Sequence, residues 1–340
     1  MSALYNTTRK QLHQKRRIML IDFYVSNFMR FNGFFSFNQR VDEYPLVADK
    51  NIGEQVKLIK ISGGNSCGKT SVLQAIKAMR DCVRYHDDID AIIIPHLSQK
   101  KEKTVFEIVF VKDGIKYEYA FAVKEKIVIY EKLNNEDTKT TVFSRAYDSA
   151  SQTYKWNFDK KLFKPSNLVK SWVNCTRKDA LFLLVATQLN SMVLQPIVEW
   201  FLDLNFIIDT PIISSRSHIK SDELVKNAIE THNSELLKLA QLVDKTVTSI
   251  DYDKYHELVF LYHQSDEIEY PMLLLYESNG MKKLFEIAPL LIDTMLNREV
   301  IIIDNLECYF DKNTLSKIMK QLNDFANGVS KQLIYTSLTD

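Results

Sequence analysis

The stretch GGNSCGKTS, Gly63 to Ser71, constrains this chain more than any other nine residues. It matches G-x-x-x-x-G-K-[ST] at Gly63, Gly68, Lys69 and Thr70. Small residues there let the backbone curl until successive N–H groups point at phosphate oxygens. A helix opening near Lys69 adds its positive end. Lys69 is spaced to reach β- and γ-phosphates, and the Thr70 hydroxyl to take a magnesium site. The bare pattern also arises by chance, so context matters. QVKLIKISG (55–63) reads as a strand ahead of the loop. TSVLQAIKAMRDCVRYH (70–86) reads as a helix with Val72, Leu73, Ile76 and Met79 on one side. Strand, loop and helix together make Gly63, Gly64, Asn65, Ser66, Cys67, Gly68, Lys69, Thr70 and Ser71 candidates to hold ATP.

A second stretch supplies a partner. VIIIDNLECYF (300–310) begins with four apolar residues, as a strand buried on both faces requires, and reaches Asp304. Beside a phosphate loop, Asp304 is the candidate to bind Mg2+ through Thr70 or through water. Alone it would be an ordinary strand ending in an aspartate. Many ATP-hydrolysing proteins place a glutamate next; here the residue is Asn305.

The rest of the chain fits one α/β core carrying insertions. Residues 1–17 are polar and basic and read as a flexible extension. Residues 18–340 read as a single head: a phosphate-loop lobe (18–95), a β-rich subdomain (100–160), a helical subdomain (175–250) and a final lobe (255–340). IMLIDFYVSNF (18–28) alternates as a strand. Residues 104–133 contain two strands turning at Asp113-Gly114 and then a third, with strand character continuing to about 158. From 178 to about 245 the pattern turns helical, with Pro196 kinking or dividing a nearly all-apolar segment. Two strands are expected in 257–276 and a helix over 280–297. A helix over 312–327 has Asp311 as N-cap and Gly328 as stop. A last buried strand covers 331–337.

Bulk properties exclude little. The 340 residues suffice for a sizeable core, and the formal charge of +1 argues against a nucleic-acid-coating or membrane-surface protein. The basic runs Lys15-Arg16-Arg17 and Lys100-Lys101-Lys103 are ordinarily solvated, but could touch nucleic acid or an acidic partner. No run reaches the roughly 18–20 apolar residues of a spanning helix. The four cysteines (67, 82, 175 and 308) form no C-x-x-C pair and no zinc spacing, and read as free thiols in a reducing, cytoplasmic setting. The seven histidines form no close pair, and no H-E-x-x-H or nucleophile elbow is present.

The order of these motifs resembles the ABC-type ATPases of bacterial abortive-infection and anti-phage defence, the OLD-like and Septu-type subunits. These are distant relatives of SMC and DNA-repair ATPase heads. The resemblance covers residues 18–340. It rests on MLIDFYVSNFMRF as first strand, on Gly64, Asn65, Gly68, Lys69 and Thr70 as the loop, and on VFEIVFVKDGIKYEYAFAV with IYEKL as the β-subdomain. ESNGMKKLFEIAPLLIDTM resembles the ABC signature, with Ser278, Asn279 and Gly280 in its Ser-x-Gly place. VIIIDNLE and KQLIYTSLTD stand where the family has its magnesium aspartate with catalytic glutamate, and its last strand with switch histidine. The resemblance implies a homodimer or higher oligomer with ATP between two heads, the loop of one facing the signature of the other.

It also marks departures. Asn305 stands at the catalytic-glutamate position, and an amide cannot take a proton from water. Glu307 is a candidate substitute base, though the family usually carries an acid there beside the dimer seam. Leu338 stands at the switch-histidine position. Gln188 is either a magnesium-contacting glutamine or a helix-surface amide. NFMRF replaces the family's NFRSF, which puts in doubt whether Arg30 reaches the nucleotide. OLD nucleases carry a nuclease domain after the last strand, and none is expected here.

The expectation is therefore an ATP-binding subunit that hydrolyses slowly or not at all. It would dimerise around ATP and scaffold or restrain a separate effector, a toxin or nuclease. One alternative is an active DNA-repair-like ATPase, which calls for a working base and a long coiled coil; no sustained heptad run is present. Another is a small-molecule kinase, against which ESNG counts.

Overall fold

The computed structural model describes residues 19–37, 47–52, 56–64, 66–85, 89–164, 166–208, 221–297, 300–306, 310–325 and 331–337. The expected extension at 1–17 and the helix stop at Gly328 lie outside these residues. In chain order, β1 (Met19–Phe28), β2 (Phe31–Ser36), β3 (Val47–Ile52) and β4 (Val56–Ser62) precede α1 (Lys69–Arg84). A short α2 (Ile89–Ile92) leads to β5 (Thr104–Lys112), β6 (Ile115–Lys124), β7 (Ile127–Asn135), β8 (Thr140–Asp148) and β9 (Thr153–Phe158). Then come α3 (Ser166–Cys175), α4 (Phe182–Gln188), α5 (Gln195–Leu202), β10 (Leu204–Ile207) and α6 (Ser221–Val243). The chain continues through β11 (Val247–Asp253), β12 (Leu258–Ser265), β13 (Ile268–Leu273), α7 (Asn279–Asn297), β14 (Val300–Ile303), α8 (Lys312–Phe325) and β15 (Lys331–Ser337).

The fold is mixed α/β. Its central sheet has the order β10-β14-β15-β4-β3, parallel except for β3. A seven-stranded antiparallel sheet, β2-β1-β5-β6-β7-β8-β9, packs beside it, and β11-β12-β13 form a third. The expected hairpin is present: Lys112 pairs with Ile115 across Asp113 and Gly114. Their φ values of 52° and 82° are those a two-residue primed turn needs.

Alternation in the central strands explains their all-apolar sequence. Val300, Ile302 and Ile334 join a core built with α1, α3 to α5 and the antiparallel sheet. Ile301, Ile303 and Leu333 join a second core with α6, α7 and the three-stranded sheet. Each β14 isoleucine is fully buried, which contributes about 1.5–3 kcal/mol per side chain. On α1, Val72, Leu73, Ile76 and Met79 are all fully buried, as their spacing predicts.

The helical reading of 178–245 needs correction. α4 ends at Gln188, a turn intervenes, and Pro196 sits in the first turn of α5, where its missing N–H costs no helix bond. Leu204–Ile207 then leaves the helical pattern altogether and pairs parallel with β14. A four-residue apolar run carries no periodicity that separates strand from buried helix. Asp311 does cap α8: its Oδ1 accepts from Asn313 N at 2.9 Å and Thr314 N at 3.1 Å.

Two polar contacts lock the layers. Gln332 on β15 accepts from Leu20 N and donates to Leu20 O, both at 2.8 Å, where β1 bulges away from β5. Glu131 on β7 accepts from Phe182 N (2.7 Å) and Leu183 N (2.9 Å) in the first turn of α4. The carboxylate thus satisfies helix donors that have no partner within the helix. Arg145 on β8 donates to Glu131 at 2.9 Å and also to Ala180 O, so sheet and helix are held together.

Candidate functional site

The parallel strand β4 ends at Ser62, and the chain turns through Gly63–Gly68 into α1. Within that turn Ser66 (φ 62°) and Gly68 (φ 107°) have left-handed backbones. A side chain at Gly68 would also meet the Phe31 ring at 3.2 Å, so glycine is required twice over. Lys69 is 6% exposed; its ammonium donates to Gly63 O at 2.6 Å and Gly64 O at 2.9 Å. An ammonium has three donors, so one remains for a ligand phosphate. The first turn of α1 adds its own N–H groups, the combination that binds phosphate at P-loops.

β14 delivers Asp304 to the same place. Thr70 Oγ1 donates to Asp304 Oδ2 at 2.7 Å, joining residues 234 apart in sequence. The other carboxylate oxygen accepts from Thr336 Oγ1 at the end of β15. Thr336 Oγ1 in turn accepts from Asn305 N at 2.7 Å. Sequence reasoning missed Thr336. Its signal was a hydroxyl near the end of a buried strand beside the one that bears the aspartate. Asn305 has φ 49°, a conformation that asparagine tolerates better than most residues.

A cavity of about 320 Å³ opens here, lined by Arg30, Ser66, Gly68, Lys69, Thr70, Ser71 and Asn305. Arg30 thus reaches the site despite its altered sequence context. Two cations face a pocket with Asp304 behind it, an arrangement suited to an anion carrying a divalent metal. Among the described residues no group of three or more His, Cys, Asp or Glu could hold a metal alone. One carboxylate and one hydroxyl beside a phosphate cradle nevertheless fit Mg2+, which takes few protein ligands and completes its shell with phosphate and water.

The remaining candidates fall elsewhere. Ser278, Asn279 and Gly280 open α7 and do not line the cavity. The Ser278 hydroxyl accepts from Met281 N at 3.2 Å and Ser278 O accepts from Lys282 N at 3.0 Å, so Ser278 caps this helix. Ser278 and Asn279 are exposed. A Cβ on Gly280 would meet only Val243 at 3.7 Å and Ser278 at 4.0 Å, so the fold does not demand glycine there. Gln188 is exposed at the last turn of α4 and does not line the cavity. Asn65, Glu307 and Leu338 lie outside the described residues.

A family model described as "AAA domain, putative AbiEii toxin, Type IV TA system" matches residues 61–337. No curated protein matches. Among solved structures, the chain is similar to an SMC head domain from Thermotoga maritima, at 12% identity and a TM-score of 0.42, covering 94% of this chain and 89% of that one. It is similar to an SmcHead bound to the C-winged helix domain of ScpA, at 10% identity and a TM-score of 0.44, covering 94% and 90%. A third is an Smc head with an extended coiled coil bound to the C-terminal domain of ScpA, derived from Pyrococcus furiosus. It has 10% identity and a TM-score of 0.42, covering 95% and 90%. Among the described residues no helix is long and apolar enough to cross a membrane.

Proposed function

The chain belongs to the AbiEii toxin-type AAA domain family, and from that premise we propose that it is an ATP-binding ABC-type subunit of the OLD-like and Septu-type group. One head spans residues 18–340, and two heads close on ATP. The closed dimer scaffolds or restrains a separate toxin or nuclease in anti-phage defence, in the cytoplasm. The observation that carries the nucleotide reading is the convergence of Lys69, Thr70 and Asp304 from two parallel strands onto one phosphate-sized cradle. The defence setting is supported by the family's description, which names a toxin of a toxin–antitoxin system. Free thiols at Cys67, Cys82 and Cys175 are consistent with a reducing compartment.

The chain's own residues divide the work. Lys69 and the loop N–H groups bind the β- and γ-phosphates, and Arg30 adds charge at the cavity wall. Thr70 and Asp304 would hold Mg2+, which supplies neutralisation of the phosphate oxygens when bound. Thr336 fixes the Asp304 carboxylate. Asn305 reaches the cavity with an amide, which can orient a water but cannot deprotonate it. The complex is therefore long-lived. Ser278 is exposed and Gly280 half-buried at a helix start outside the cavity of their own chain, a placement that suits contact with the γ-phosphate of a second copy.

The test is equilibrium ATP binding beside single-turnover hydrolysis at high protein concentration, for wild type and Asn305→Glu. Tight magnesium-dependent binding with negligible turnover supports the proposal. Brisk wild-type turnover, stimulated by DNA, would replace the scaffold with an active DNA-repair-like ATPase.

A further inference from the structure

β9 closes the order of the seven-stranded sheet, and among the described residues no strand pairs with its outer edge. Asp159 N donates to Val142 O at 2.9 Å, and Phe158 stands opposite Phe143 in the same register. Bonded and non-bonded positions alternate along an antiparallel pair. Lys155 and Asn157 therefore bond to β8, while the N–H and C=O groups of Trp156 and Phe158 point away from it. The devices that usually blunt such an edge are missing. The pairing with β8 has no bulge and the strand has no proline. Its one charge, Lys155, is drawn back to Asp148 at 3.2 Å.

A cavity of about 630 Å³ lies beside this edge, between β9 and α3. Trp156 and Phe158 wall it on the strand side, and Phe163, Val169 and Val173 complete an apolar lining. Lys160, Lys164 and Lys170 stand at the same cavity. All three are exposed, and none has an ion pair among the described residues. No described carboxylate lines the cavity. Asp159 is nearby in sequence, but its Oδ1 is turned into its own loop, accepting from Lys161 N at 2.7 Å and Leu162 N at 3.3 Å. An apolar group gains by entering such a space, and carboxylates flanking it would meet lysines.

We propose that β9 and this cavity bind an extended acidic segment of a partner protein. The segment adds to the sheet as a strand along Trp156 and Phe158, sets a large apolar side chain in the cavity, and lays its carboxylates against Lys160, Lys164 and Lys170. Backbone bonds supply affinity in this mode, and the pocket and charges supply selectivity. Single-stranded nucleic acid is disfavoured, because a base needs a free ring face to stack on. Phe158 stacks on Trp156 at 5.6 Å and 9°, and the Arg145 guanidinium lies over the Trp156 ring at 5.4 Å. Residues 1–17 of the chain itself have basic residues and no acid, the wrong charge for this site. The cavity shares no lining residue with the one at the phosphate loop, so the proposal stands without the nucleotide reading.

The experiment presents the full chain, without nucleotide, to an array of synthetic peptides of about ten residues, the length of a long strand. Half the peptides have varied apolar centres with glutamates at both ends; the matched half have lysines there. The expected result is binding of glutamate-ended peptides alone, the best of them with a large apolar residue at one fixed place. Amide exchange should then slow at Trp156 and Phe158 and stay as it was at Lys155 and Asn157, whose N–H groups are already bonded. Lys160→Glu, Lys164→Glu and Lys170→Glu together should weaken the best peptide about tenfold while leaving the melting temperature and ATP binding in place. Four results overturn the proposal: no binding in either half, equal binding of lysine-ended peptides, unchanged affinity in the triple variant, or binding that does not slow Trp156 and Phe158. Tighter binding of a thymidine oligonucleotide, lost in the triple variant, overturns it in favour of nucleic acid. Lys69→Met should bind the peptide as wild type does. If ATP binding is absent while the peptide results hold, the nucleotide reading fails and this site stands.

Discussion

The Thr336 hydroxyl donates to Asp304 Oδ1 from 32 residues further along the chain. Thr336 is fully buried, and the same oxygen accepts the Asn305 N–H. Thr336→Val keeps the shape and removes both contacts. Leaving a buried carboxylate oxygen and a backbone N–H without partners costs about 1–3 kcal/mol. The expected outcome is a lower urea midpoint together with weaker magnesium-dependent ATP binding. Thr336→Ser should restore most of both.

Lys69→Met removes the loop ammonium while keeping an aliphatic stem. Loss of a charge-assisted bond to phosphate costs about 1.5–3 kcal/mol, or roughly 10- to 150-fold in affinity. Calorimetry should show ATP binding weakened by that factor. An unchanged affinity would place the nucleotide, if it binds, somewhere other than this loop.

Gly280 separates fold from function. Alanine fits the space within the chain, and replacing a helical glycine stabilises by about 0.5–1 kcal/mol. Gly280→Ala should therefore raise the melting temperature slightly and leave ATP binding at the Lys69 loop intact. In the proposed ATP sandwich the added methyl would lie between the helix start and the partner's phosphate, so ATP-dependent association, measured by sedimentation, should fall.

Glu107 on β5 gives a pH prediction with a definite sign. Burial, then the neighbouring Glu118, pushes its carboxyl above the usual range. An acid with a raised folded pKa binds protons more tightly in the native state. The cost of ionising it is absent below the unfolded value of about 4.3 and is complete only above the folded one. Glu107→Gln should raise the denaturant midpoint at pH 7 and leave it unchanged near pH 3.5. A gain of equal size at both would assign the effect to something other than charge.

The parts of the fold that were legible in the sequence are those with periodicity or punctuation. The spacing of Val72, Leu73, Ile76 and Met79 fixed α1, Asp113-Gly114 fixed a hairpin, and Asp311 fixed the start of α8. Short strands left no such trace. β10 has four residues, and nothing in Leu-Asn-Phe-Ile separates it from the helices before it until β14 is present to pair with it. Of the site, the loop and Asp304 could be read from spacing. Thr336 could not, because a buried threonine becomes a ligand to the aspartate only through the strand order β14-β15-β4.

The register of the central sheet has a consequence for the order in which the protein can be assembled during synthesis. β4 lies beside β15, and its residues 56–62 wait for residues 331–337 before that edge is filled. The antiparallel run β5 to β9, by contrast, pairs each strand with the next one made. Even there, β1 remains unclamped until Gln332 arrives to grip Leu20. A ribosome-bound chain should hold its β-rich sheet before it acquires the Thr70–Asp304–Thr336 cradle, which needs β14 and β15. Nucleotide affinity would thus appear abruptly, once β15 has paired with β4, rather than when the phosphate loop itself is made.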